Sequence, residues 1–179
     1  MSQAFAAAIV AGALAALVGA PGAGAAQGPA TSAQAACPGQ DEPRAPLAVQ
    51  ERAMLCLTNA ARRAAGKAPL TGLASLDRAA ARKSADVIRC DDFSHEACGR
   101  DLSYWIDRLT GCRASDENIA WGTGATASPR AVFRSWMRSP ERRANILGRY
   151  REIGIGLRVG DLEGNAAAHV WTQSFGAGC

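Results

Sequence analysis

The sequence predicts an α+β domain in which helices pack on a small antiparallel sheet. Apolar residues recur at helical spacing in several segments between residues 47 and 150, and they alternate with other residues between residues 152 and 175. Helices that come first and an antiparallel hairpin that comes last are typical of this class. The 179 residues leave room for one such domain, and no internal repeat divides it.

Start and stop signals bound several of the helical segments. Gly66 ends the first segment, Ser75 is a suitable N-cap for the second, and Ser128 followed by Pro129 begins a later one. The predicted segments are, in chain order, LAVQERAMLCLTNAARRAAG, SLDRAAARKSADVIRC, RDLSYWIDRLTG, SPRAVFRSWMRS and PERRANILGRY. We expect a loop at CDDFSHEACG, which has no helical period, and an irregular passage at DENIAWGTGATA, which resembles neither a helix nor a long strand.

The predicted hairpin lies near the end of the sequence. EIGIGLRV places Ile153, Ile155 and Leu157 on one side of a strand, and AAHVWTQSF alternates in the same way after the turn GDLEGN. Gly154 and Gly156 lie on the other side of the first strand, where the lack of a side chain leaves room for a close neighbour.

The first 36 residues carry no charged side chain and indicate an export signal. The apolar run AFAAAIVAGALAALVGA is followed by small residues that suit signal peptidase, which predicts a signal peptide over residues 1–26, with cleavage as late as residue 36 as an alternative. No Lys or Arg precedes the apolar run, unlike in most signal peptides. An uncleaved anchor is the competing interpretation. We expect an irregular leader over residues 27–46, a domain over residues 47–179, and no transmembrane segment after removal of the signal.

Six cysteines follow the expected cleavage region, and none of them forms a CxxC motif. An even number of cysteines in an exported chain predicts three disulfides and a secreted protein. The sequence alone allows 15 pairings. From the predicted elements we expect Cys98–Cys112 around a short helix, Cys56–Cys90 between the first two helices, and Cys37–Cys179 between the ends.

The formal net charge of +4 comes almost entirely from arginines spread along the sequence. So diffuse an excess does not predict a nucleic-acid groove, and we expect no nucleic-acid partner. It favours at most a loose association with anionic components of a cell envelope.

Six segments occur in an order and at separations that match a known family. They are LTNAARRAAGKAPL, SADVIRCDDFSH, ENIAWG, SWMRSPERRANIL, REIGIGL and VWTQSFG, and they extend over roughly residues 47–176. Together they resemble the CAP superfamily of cysteine-rich secretory proteins, antigen 5 and pathogenesis-related 1 proteins, in particular its bacterial exported members with an SCP domain. The resemblance implies an α-β-α sandwich, with helices flanking a small antiparallel sheet.

The resemblance also implies a cleft with a tetrad of two histidines and two acidic residues, whose histidines bind a divalent metal in several members. His95 in FSH matches the first histidine, and Glu117 in ENIA matches the first glutamate. Ser139 stands where animal and plant members usually have the second glutamate. In SPERR, Glu141 and Arg142 stand where bacterial members usually have a glycine and the metal-binding histidine.

Arg142 changes the chemistry expected of this cleft. A guanidinium group has no lone pair for a metal and stays protonated, and a zinc site needs three or four good ligands. His95 and Glu117 remain only weak metal candidates, so we expect no cofactor and disfavour a divalent metal. We expect instead a cluster of His95, Glu117 and Arg142, with Glu141 as the candidate second acid.

These residues favour a secreted binding module over an enzyme, and we assign no catalytic residue. No GxSxG motif occurs, and the cysteines are expected in disulfides. A nearby arginine lowers the pKa of a carboxyl group, whereas a carboxylic general acid needs a raised pKa. The resemblance implies a lipid, a small apolar ligand or an envelope partner. Two alternatives stay open: a metal-assisted or carboxylate-dependent hydrolase that uses the same cleft, and a structural envelope-associated protein.

Overall fold

The computed structural model describes residues 37–179, which form five α-helices and a four-stranded sheet. The signal peptide expected for residues 1–26 and the first part of the leader lie outside the described residues. Residues 37–46 run through turns into the first helix. No helix among residues 37–179 is long and apolar enough to cross a membrane.

The helices are α1 (Leu47–Ala64), α2 (Ala74–Arg89), α3 (Tyr104–Leu109), α4 (Pro129–Arg138) and α5 (Pro140–Ile146). The sequence predicted a helical segment at each place, and Ser128 caps α4 as expected by accepting a hydrogen bond from the backbone N–H of Ala131 at 3.4 Å. Ser75 does not cap α2, because the helix begins at Ala74 and Leu73 occupies the N-cap position, two residues before Ser75.

The strands are β1 (Thr71–Gly72), β2 (Ala114–Gly122), β3 (Glu152–Leu162) and β4 (Asn165–Ala177), and their order in the sheet is β1-β3-β4-β2. β3 and β4 form the predicted hairpin. The expected irregular passage at DENIAWGTGATA is wrong, since most of it belongs to β2, which pairs antiparallel with β4. Four successive residues of β2, 117–120, are buried, so the alternation that marks a half-exposed strand is absent.

Helices cover both faces of the sheet. α1, α4 and α5 pack on the face that carries Leu157, Trp171 and Phe175. On the opposite face, α2 packs beside Ala168 and Val170 and is itself contacted by α3. This arrangement is the α-β-α sandwich that the family resemblance implied.

The two glycines of β3 let α2 approach the sheet at backbone distance. A Cβ on Gly154 would lie 2.0 Å from the carbonyl carbon of Leu76, and one on Gly156 would lie 2.3 Å from that of Ala80. The close neighbour expected at these glycines is therefore α2.

Three disulfides form, but the expected pairings are wrong. The bonds are Cys37–Cys56, Cys90–Cys98 and Cys112–Cys179, instead of Cys56–Cys90, Cys98–Cys112 and Cys37–Cys179. The leader folds back on α1, where the Gln50 side-chain amide donates to the carbonyl of Ala45 at 2.7 Å. The end of β4 lies beside the start of β2, with Ala177 opposite Ala114, which brings the C-terminal cysteine to its partner. Neither proximity is visible from the order of the elements along the chain.

Candidate functional site

His95 and Glu117 come together on the α2 side of the sheet. His95 Nδ1 lies 2.8 Å from Glu117 Oε1; the glutamate is buried on β2, while the histidine side chain is 45% exposed. In the neutral imidazole beside an ionised carboxylate, Nδ1 carries the proton and donates it, which leaves a lone pair on Nε2. The site therefore presents an imidazole that a buried carboxylate holds in one orientation.

Lys83 supplies the cation of this site. It projects from α2, is 3% exposed, and its Nζ donates to the backbone carbonyl of His95 and lies 3.9 Å from Glu117 Oε1. One ammonium group thus fixes both the loop that carries the histidine and the carboxylate that orients its ring.

Burial works against the charge on both members of this pair. It raises the pKa of Glu117, and the hydrogen bond from His95 and the charge of Lys83 act in the opposite direction. Burial likewise lowers the pKa of Lys83 against the attraction of Glu117. Each side chain therefore favours the charged form of the other, against the effect of burial.

A disulfide closes the loop that carries the histidine. Cys90 and Cys98 are bonded across a sequence separation of 8, with His95 between them. Together with the contact from Lys83, this bond limits the positions that the loop can take. The disulfide and the hydrogen bond from Lys83 thus hold the loop in a position from which the imidazole reaches Glu117.

A second buried carboxylate anchors the neighbouring segments. Asp86 on α2 accepts hydrogen bonds from Arg89 Nη2 at 2.8 Å, from Arg100 Nη1 at 2.6 Å and from Trp105 Nε1 at 2.7 Å. Burial by itself would raise the pKa of Asp86, but these three bonds outweigh it and hold the pKa below its usual 3.8. The hydrogen bonds to Asp86 tie α3 and the segment that follows the Cys90–Cys98 loop to α2.

The structure does not bring Arg142 to Glu117, so the expected ion pair between them is wrong. The Arg142 carbonyl accepts a hydrogen bond from Asn118 Nδ2 at 3.0 Å, and neighbouring side chains on a strand point to opposite faces of the sheet. α5 therefore packs on the face away from the Glu117 carboxylate. The other two proposed members of the cleft also lie on or beside α5: the Ser139 hydroxyl accepts a hydrogen bond from the Arg142 backbone at 3.5 Å as the cap of that helix, and Glu141 is exposed in its first turn.

A family model described as "Cysteine-rich secretory protein family", CAP, matches residues 55–175. The chain belongs to this family. "Uncharacterized protein YkwD" of Bacillus subtilis (strain 168) is 30% identical to this CAP protein over 132 residues, which are 72% of the chain and 48% of the relative. The chain thus spans about half the length of the curated relative that it matches.

Solved structures share the fold of this CAP domain. An extracellular protein containing an SCP domain from Bacillus anthracis str. Ames aligns with a TM-score of 0.61 and 22% identity, over 72% of this chain and 40% of that chain. An outer surface protein from Borrelia burgdorferi aligns with a TM-score of 0.59 and 15% identity, over 69% of this chain and 89% of that chain. At these identities the similarity establishes the fold.

The donor atoms around His95 do not fit the two-histidine metal site that the family resemblance implied. One imidazole and one carboxylate converge, and Lys83 lies beside that carboxylate. His169 lies elsewhere, where its Nε2 donates to the Pro43 carbonyl at 2.8 Å. Within residues 37–179, no group of three or more His, Cys, Asp and Glu side chains is arranged to hold a metal ion.

Lys83 was not among the residues predicted for the cleft, although the sequence contains a signal for it. The residue lies three positions after Ala80 and four before Val87, both of which are fully buried. Helical spacing therefore places a lysine on the buried face of α2, and buried lysines are almost always paired. The carboxylate that pairs with it could not be identified without the fold.

Proposed function

We propose that this CAP domain is a secreted, disulfide-stabilised binding module whose His95 cleft works without a metal. The observation that carries the proposal is the buried Glu117 carboxylate held between His95 and Lys83. An ammonium group within 3.9 Å of the carboxylate would repel a divalent cation at the same oxygen. The lysine therefore supplies positive charge at this carboxylate in place of a metal.

The ligand surface proposed here combines a polar group of His95 with two aromatic side chains of the adjoining core. His95 offers Nε2 as a hydrogen-bonding atom on a half-exposed ring. Phe93, in the same loop, and Trp121, on β2, are partly buried and pack against the core around Val87 and Val170. This combination suits a lipid or another small apolar molecule with one polar group; an envelope partner is the alternative ligand.

Export is the second component of the proposal. Three disulfides persist only in an oxidising compartment, and residues 1–36 have the composition of an export signal. Two proteins of the same fold are described as extracellular and as an outer surface protein, respectively. Both observations support a location outside the cytoplasm. Association with the cell envelope is the more specific location that we propose.

Native purification followed by solvent extraction and mass spectrometry tests the binding function. We expect the wild type and His169→Ala to release the same small apolar compound, and His95→Ala to release much less of it. His169 is the matched control because it is the other histidine of the chain and bonds elsewhere. A protein without cargo would favour the structural envelope role, and stoichiometric zinc that is lost in His95→Ala would overturn the metal-free cleft.

A hydrolase is the second candidate, and one observation favours it. A buried carboxylate that orients a half-exposed imidazole is the arrangement that prepares a general base. Ser94 is the residue directly before His95, and neighbours in sequence rarely form a nucleophile and base pair, so the candidate nucleophile is water. Turnover of a peptide, ester or glycan substrate that His95→Ala abolishes and His169→Ala retains would favour this candidate over the binding module.

A further inference from the structure

Arginine side chains line a groove on the side of α2 that faces away from Lys83. Two depressions of about 390 Å³ and 360 Å³ share Arg78, Ala81 and Arg158 and so form one continuous groove. It runs from the edge of β3, between α1 and α2, to α3. We call it the arginine groove; its cationic lining residues are Arg52, Arg78, Arg82 and Arg158.

The lining of the arginine groove carries an excess of positive charge. Among residues 37–179, no ion pair joins any of these four arginines to a carboxylate. The acidic side chains in the lining are Glu51 and Asp77. Four arginines thus face two acidic side chains, and burial raises the pKa of both carboxyl groups.

The same two carboxylates exclude a strand-like peptide from the groove. Glu51 Oε1 accepts the backbone N–H of Leu157 at 3.1 Å, and Asp77 Oδ1 accepts that of Ile155 at 2.9 Å. These N–H groups lie on the edge of β3 beyond its short pairing with β1. A peptide that added itself to the sheet would need them as donors, so strand addition is blocked.

The remaining lining suits a narrow chain with regularly spaced anionic groups. Arg78 and Arg82 are one helical turn apart, about 6 Å along the axis of α2. Guanidinium groups bind phosphate oxygens with two parallel hydrogen bonds. Between them the surface is formed by Ala81, Ala85 and Leu109, and no aromatic side chain of the described region lines either depression. Trp105 lies outside the groove lining, although its ring centroid is 5.7 Å from the Arg82 guanidinium carbon. Within the groove itself, nucleobases and sugar rings would find no stacking partner.

We propose that the arginine groove binds a linear polyol phosphodiester, a chain of small polyols joined by phosphate groups. Successive phosphates contact Arg78 and Arg82, and the short polyol units lie on the alanine surface between them. A membrane fits this site less well, because the arginines line a depression and a membrane presents a broad surface. In addition, the exposed large apolar side chains among residues 37–179 are Leu47 and Val159, which form no inserting patch.

This inference is independent of the proposed function of the His95 cleft. Lys83 and the arginines project from different sides of α2, so a substitution at either site leaves the other in place. Loss of cargo in His95→Ala and loss of polymer binding in an arginine variant are separate results.

Calorimetric titration of the full chain with a synthetic glycerol phosphate oligomer tests the proposal. Arg78→Gln/Arg82→Gln should weaken binding at least about tenfold, and the slope of log Kd against log salt should fall by about 1 to 2 because two phosphate contacts are lost. Arg138→Gln/Arg143→Gln is the matched control, since it removes the same charge from exposed positions on α4 and α5 and should bind like the wild type. Equal melting temperatures will show that both variants are folded.

Four results would overturn the proposal. Equal weakening in both double variants would mean that only net charge matters. Single-stranded DNA of the same charge that binds equally well at the same arginines would mean a general polyanion site. Binding to vesicles of anionic phospholipid but not to the oligomer would mean a membrane surface, and no binding of the oligomer at low salt would mean no such site.

Discussion

Glu117 is a buried acidic side chain whose charged form two neighbouring side chains favour. His95 holds one of its oxygens at 2.8 Å, and Lys83 lies 3.9 Å from the same atom. Removal of one partner from a buried ion pair leaves the other charge uncompensated, which typically costs about 3–5 kcal/mol, whereas removal of both charges costs much less. At this scale the site is a set of mutually dependent charges.

The substitution Lys83→Met should lower the free energy of unfolding by about 2–4 kcal/mol at neutral pH. Arg82→Met, at the exposed neighbouring position, should change it by less than about 0.5 kcal/mol. Urea denaturation measures both values. In the double variant Lys83→Met/Glu117→Gln most of the loss should be recovered, because no buried charge remains; strictly additive losses would contradict the pairing.

The loss in Lys83→Met should also depend on pH, with a sign that the pKa of Glu117 sets. Its folded pKa lies above the usual 4.5, so its contribution to stability is fully present below that value and is lost as pH rises through the folded pKa. Lys83 lowers this pKa, and its removal raises it further. The deficit of the variant should therefore grow from below pH 4.5 to neutral pH, and a constant deficit would count against this mechanism.

At the scale of elements, α2 is the helix that positions both sites. One side of it carries Lys83, the other carries Arg78 and Arg82, and its C-terminal end leads into the disulfide loop with His95. Its distance from the sheet is set by Gly154 and Gly156, where backbone meets backbone. A change of that distance would move every functional side chain on the helix.

The substitution Gly156→Ala should lower the free energy of unfolding by at least about 2 kcal/mol, because its Cβ would lie 2.3 Å from the Ala80 carbonyl carbon and the backbone must move. Gly111→Ala should be neutral to within about 0.5 kcal/mol, since nothing lies within 4 Å of its added Cβ. Thermal denaturation compares the two, and NMR signals of the His95 ring should shift in the first variant alone. Equal stability of both variants would contradict the close approach.

At the scale of the whole molecule, two of the disulfides constrain very different lengths of chain. Cys90–Cys98 spans a separation of 8 residues, and Cys112–Cys179 spans 67. A bond that closes a longer loop removes more freedom from the unfolded chain. The short bridge acts on the His95 loop, and the long one ties the last strand to the start of β2.

Replacement of each cysteine pair by serines should separate these roles. Loss of Cys112–Cys179 should cost about 4.5 kcal/mol in stability, and loss of Cys90–Cys98 about 2.5 kcal/mol, by the loop-entropy relation. Amide hydrogen exchange of residues 91–97 should increase in the variant that lacks the short bridge and stay unchanged in the other. The opposite order of stabilities, or faster exchange of that loop in both, would contradict the assignment.

Features set by residues close together in the sequence could be predicted, whereas features set by contacts between distant segments could not. Ser128 with Pro129 marks the start of α4 within two residues, and the alternation around Gly154 and Gly156 marks β3, because these signals are local. β2 escaped detection since its buried polar residues, such as Asn118, break the alternation on which a strand assignment depends. The disulfide pairings failed because they join points that only the packed elements bring together.

The sequence by itself determined the family, the α+β class, the helix and hairpin order, the presence of three disulfides, and His95 and Glu117 as candidates for the cleft. Only the tertiary structure decided that Lys83, and not Arg142, is the cation beside Glu117, and which cysteines meet. The physical reason is that a residue's type and spacing specify which face of an element it occupies, whereas its partner depends on how separate elements pack. Lys83 and Glu117 lie on a helix and a strand far apart in the chain, and they meet because α2 rests on the sheet over two glycines.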